Sequence, residues 1–112
     1  MSRLKTSVET FTAVAVAHAW VAPDRCIVRG VTAHFSATPT TAEDFTLTLN
    51  ANAGAAYDVV FYREDPVALG LVNDLVIDGI NRELMAGDGI DIAYTNTDAA
   101  TIGVSVYYEL IP

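Results

Sequence analysis

The residues of this chain best suited to general-base or nucleophilic chemistry are two histidines, His18 and His34, and one cysteine, Cys26. A hydrolytic triad needs a histidine within hydrogen-bond reach of both a nucleophile and an orienting acid. No nucleophile elbow accompanies either histidine. His34 is opposite in phase to Phe35 within a strand-like run, which places it on a surface or at an interface. Cys26 has no second cysteine with which to form a disulfide or a multi-cysteine zinc site, so it is expected to be a small buried hydrophobe. The adjacent acids Glu43-Asp44 and Glu64-Asp65 could suggest glycoside hydrolysis. Such a pair must converge across a cleft at roughly 5 to 9 Å, whereas neighbouring acids in a loop are ordinarily solvated. The chain is not expected to be an enzyme.

Asp78, Asp88, Asp91, Asn96 and Asp98 offer the oxygen ligands that calcium prefers. Their spacing provides no Asp-x-Asp-x-Asp-Gly frame closed by a distal glutamate, and Asp-Gly and Asn-Thr-Asp are common turn sequences. Gly87 and Gly89 do not continue into a phosphate loop, because Ile92 stands where the third glycine is needed and the flanks are strands. Neither a metal nor a cofactor is expected.

Charge narrows the partners. Six basic residues against fourteen acidic ones give a formal charge of −8, which repels phosphate backbones and anionic lipid headgroups. No nucleic-acid or membrane partner is expected. Three of the basic groups, Arg3, Lys5 and Arg25, lie near the start, so residues 1–7 read as a basic N-terminal arm that could dock on an acidic neighbour. The run TAVAVAHAWVA after MSRLK imitates a secretory leader, but Thr10 and Thr12 interrupt a short apolar run preceded by Glu9, and that reading is rejected. No unbroken run of about 18 apolar residues exists for a membrane helix.

The elements that must position these residues are strands. Val, Ile, Thr and aromatic residues recur between turn residues, and no sustained three- and four-residue spacing marks a helix. Ile90, Ile92 and Tyr94, then Ile102, Val104, Val106, Tyr108 and Leu110, alternate as one face of a pleated strand does. Further strands are expected over Val8 to Ala17, Cys26 to Ala37, Phe45 to Ala51, Tyr57 to Glu64 and Leu71 to Ile77, with a brief segment through Leu84 and a possible helical turn near Pro66. In the second, Ile27, Val31, Ala33 and Phe35 share a face with Arg29 as the misfit, and Gly30 marks a bulge or a close backbone approach. About seven or eight short strands predict an all-β antiparallel β-sandwich, jelly-roll-like rather than immunoglobulin-like, filling residues 8–112 as one domain.

Apolar residues left on outer faces are the strongest functional clue. If Val59 and Phe61 fill the sandwich, Val60 and Tyr62 face outward; if Val106 and Tyr108 fill it, Tyr107 does. Together with Arg3, Lys5 and Trp20 they form the candidate partner interface, serving a homo-oligomer or a docked protein.

The run YDVVFYREDP and, some twenty residues later, LMAGDGIDIAYTNTDAATIGVSVYYEL resemble small β-sandwich virion proteins of tailed bacteriophages that decorate heads or occur in tail and fibre assemblies. The elements of the likeness are Tyr57 to Tyr62, the Gly87-Asp88 turn before a strand ending Ala93-Tyr94, Asn96-Thr97-Asp98, and the strand at Gly103-Val104. The Gly-Asp turn is also similar to trimeric jelly rolls of the tumour-necrosis-factor type. The resemblance implies a capsid decoration or cement protein on the virion surface. It would bridge subunits of the major capsid protein, or another virion protein, as a homo-oligomer with a trimer favoured. The family has no catalytic residues to carry over. The alternative is a receptor- or glycan-binding module at a tail or fibre tip, with Trp20 or Tyr62 stacked on a sugar.

Overall fold

The computed structural model describes residues 4–112. Among them nine strands form two antiparallel sheets packed as a β-sandwich: β1 (Leu4–Thr12), β2 (Val16–Val21), β3 (Cys26–Phe35), β4 (Phe45–Asn50), β5 (Val59–Glu64), β6 (Asp74–Ile77), β7 (Arg82–Leu84), β8 (Gly89–Tyr94) and β9 (Thr101–Leu110). The first sheet runs β1-β9-β3-β6, with β7 also on β3, and the second runs β2-β8-β4-β5. All of the pairings are antiparallel. A single 3-10 turn, Ala55–Tyr57, precedes β5, and Pro66 to Leu71 close a hydrogen-bonded turn without becoming a helix.

Alternation builds the core as expected for half-buried strands. Phe45, Leu47 and Leu49 of β4, Ile90, Ile92 and Tyr94 of β8, and Ile102, Val104 and Val106 of β9 are buried. Tyr94 ties the sheets together: its ring meets Phe35 edge-on at 5.4 Å and Phe45 at 5.8 Å. Burial, followed by the charges of Glu43, Asp98 and Asp65, pushes its phenol up to about 12. Cys26 is fully buried, and burial, with Asp24 second, pushes its thiol up. Across the sides of the sandwich, the Phe11 ring lies 6.3 Å from that of His18 between β1 and β2, and Arg82 sits over the Phe61 ring between β7 and β5.

Three expectations about the strands are corrected. The strand predicted over Val8 to Ala17 is two strands in different sheets, broken at Ala13, whose φ is 54°. No glycine or proline marks this break. It is held from a distance, by Ala13 N–H donating to Ala100 O and by the Asn96 side chain donating to Val14 O. Second, residues 4–7 are the first half of β1 and not an arm. Third, the bulge between Val28 and Gly30 shifts the phase of β3. Cys26 and Val28 therefore point inward before it, with Val31, Ala33 and Phe35 after it, while Ile27 shares the outer side with Arg29. Gly30 also meets a close backbone: a Cβ there would lie 2.8 Å from Ile77 O.

Candidate functional site

The acidic turn residues act within the chain. The Asp98 carboxylate accepts hydrogen bonds from the backbone N–H and hydroxyl of both Thr40 and Thr41, at 2.6 to 3.3 Å. Glu43 accepts two more from Thr97. Together they bind the β3–β4 loop to the β8–β9 turn. Asp88 accepts from the N–H groups of Asn52 and Met85, and Asp78 from that of Gly79. Asn96, buried at 5 % exposure, donates to Val14 O and Ala100 O and accepts from Ala100 N–H. Among the described residues no group of three or more His, Cys, Asp or Glu side chains is placed to hold a metal ion.

The histidines lie apart. His34 is exposed on the outer side of β3 and contacts Asp74 across the β3–β6 ladder. His18 points inward from β2, and its Nε2 is buried with no hydrogen-bond partner.

What remains distinctive is the outer face of the first sheet. The bulge in β3 turns Arg29 onto this face, where its Nε and Nη2 donate to Glu109 Oε2 at 3.0 and 2.8 Å and its Nη1 donates to Asn81 Oδ1 at 3.1 Å. Tyr107 stands opposite Gly30, where the Ile77 carbonyl takes the place a side chain would fill. Leu4, Thr32, Val76, Tyr107 and Asp78 edge a shallow trough of about 410 Å³ on this face. Apolar side chains on this face are open to solvent, with Leu4 at 53 %, Val8 at 69 % and Val76 at 64 % exposure. The arrangement can hold a partner by apolar contact and orient it through the fixed Arg29–Glu109 pair.

The predicted interface residues do not form one patch. Tyr107 lies on the face just described, and Lys5 is exposed on β1 opposite Tyr108. Val60 is exposed on the outer side of the second sheet, opposite Thr48. Tyr62 is a correction. The register shift between Leu47 and Thr48 places an extra residue on β5, which sets Tyr62 opposite buried Leu47 and packs it partly against the core. Burial, with the Glu64 charge second, pushes its phenol up. Trp20 is also a correction: it is 5 % exposed and packed on Tyr108 inside the sandwich, so it is not available to a partner or a sugar. Arg3 lies outside the described residues. Sequence reasoning missed Leu4, Val8, Val76 and the pairing of Arg29 with Glu109. The misfit Arg29 beside Gly30 was the one local sign of that pair.

No family model, curated protein or solved structure matches the chain.

Proposed function

We propose that this chain is a structural protein of a phage virion, a head decoration or cement protein that docks on the major capsid protein and bridges neighbouring subunits as a homo-oligomer. The observation that carries the reading is the outer face of the first sheet. Leu4, Val8 and Val76 are exposed there around Tyr107, while the acids of the turns are committed to internal hydrogen bonds. Its exposed chemistry is that of contact. The strand orders β1-β9-β3-β6 and β2-β8-β4-β5 support a jelly-roll description of the sandwich. Burial of an apolar face contributes roughly 25 cal/mol per Å², and many copies on one shell multiply a modest contribution.

Cosedimentation with assembled head shells of the cognate capsid protein tests this reading. Saturable binding that raises the shell's melting temperature, and is weakened by Val76→Glu, is the expected result. Shells that neither retain the protein nor gain stability would sink it.

The trough beside Tyr107 favours a second reading, a glycan-binding module at a tail or fibre tip, because an aromatic ring there adjoins Arg29, Asp78 and Glu109. Saturable binding to a glycan array, lost in Tyr107→Ala with head shells ignored, would select it over the cement reading.

A further inference from the structure

The four sheet edges are unequal. β5 carries a bulge, β6 and β7 are short and separated by Asp78 to Asn81, and β2 has six residues. β1 (Leu4–Thr12) runs nine residues in unbroken register with β9, contains neither proline nor glycine, and presents an edge from Lys5 onward. A long unprotected edge is a template for another strand, which proteins commonly block with inward-pointing charges. Two such charges are present. Lys5 and Glu9 share the inward phase with Ser7 and Phe11, both are exposed, and neither has a partner among the described residues.

We propose that the edge of β1 from Lys5 to Glu9 is a self-recognition site that pairs antiparallel with β1 of a second copy, centred on Ser7. In that register Lys5 of each copy faces Glu9 of the other, Thr6 faces Val8, and Ser7 faces Ser7 on the two-fold axis. Opposite residues of an antiparallel pair lie on the same side of the sheet, so both charge pairs form on the inward side and Val8 meets Thr6 on the outer side. Centring the pair on Lys5 or on Glu9 would set like charge against like. The charges that block an unrelated strand therefore admit this one, and the two-fold axis closes the assembly at two copies because each copy has one β1 edge. The two first sheets become one continuous sheet with a joined outer face. This pairing stands independently of the virion reading.

Sedimentation velocity on the full chain and on charge variants tests it. The wild-type protein is expected to be a dimer. Lys5→Glu and Glu9→Lys each replace two attractions with two repulsions and should weaken the dimer about tenfold or more. An equimolar mixture of the two variants should recover a heterodimer of near wild-type affinity, because glutamates at 5 and 9 then face lysines at 5 and 9. Both positions are exposed, and unchanged thermal melts will show that the fold persists. Ser7→Cys should oxidise to a disulfide-linked dimer, since directly opposed residues lie about 4.5 to 5.5 Å apart at Cα, within disulfide range. A monomeric wild type, a trimer of the kind the phage resemblance implies, or a dimer insensitive to both charge reversals would overturn the proposal.

Discussion

Trp20 on β2 and Tyr108 on β9 lie ring against ring inside the sandwich, centroids 5.1 Å apart and planes tilted by 52°. The contact joins the two sheets near the end where β3 and β9 pair from Cys26 to Leu110. Stacked or tilted aromatic pairs add to the large apolar area each ring removes from water. Trp20→Ala should destabilise the fold by about 3 to 5 kcal/mol, and Trp20→Phe by less, measured by urea denaturation. Exposed tryptophan emission in the native wild type would contradict the placement.

Asn96 combines a positive φ of 57° with three hydrogen bonds from a buried side chain. Asn96→Ala loses the bonds and places a less tolerant residue in the left-handed region, for an expected cost of about 2 to 4 kcal/mol. Asn96→Gly removes only the backbone strain from that cost and should be the milder variant. Equal unfolding midpoints for the two would show that the backbone conformation carries none of the effect.

His18 brings a buried, unpartnered Nε2 to the contact with Phe11. Leaving a buried polar atom unsatisfied is costly, whereas an apolar side chain of similar size has no such penalty. His18→Leu is expected to stabilise the chain by about 1 kcal/mol in denaturant titrations. A loss of stability would instead reveal a polar partner for the ring.

Asp98 is held down to about 2 from an ordinary 3.8, chiefly by the Thr40 backbone N–H and then the Thr41 hydroxyl. Because the folded-state value is the lower one, the stabilisation is present above the unfolded value and is lost as pH falls towards 2. Asp98→Asn should therefore melt below the wild type at pH 6, and the gap should close between about pH 4 and pH 2. A gap independent of pH would assign the effect to shape and not to charge.

The all-β class and most strand positions are legible in the residues alone, because a period of two in β4, β8 and β9 leaves one side of each strand no stable place except a shared core. The excess of acids over bases is equally plain in the sequence, and Gly30 beside Arg29 disclosed the bulge in β3. Which way side chains point beyond each bulge depends on the pairing of strands distant in the chain. One extra residue reverses the phase of one side of a strand against the other, which set Tyr62 inward and left Ile27 on the outer side while Val31 beyond the bulge points in. The break at Ala13 is likewise a long-range effect, since the groups that hold that turn, Asn96 and Ala100, lie more than eighty residues along the chain. The exposed face around Tyr107 was out of reach for the same reason: Leu4, Val76 and Tyr107 meet only when β1, β6 and β9 are set around β3. Local periodicity reports which residues share a strand face; only long-range pairing decides which faces are brought together and which are left open to solvent.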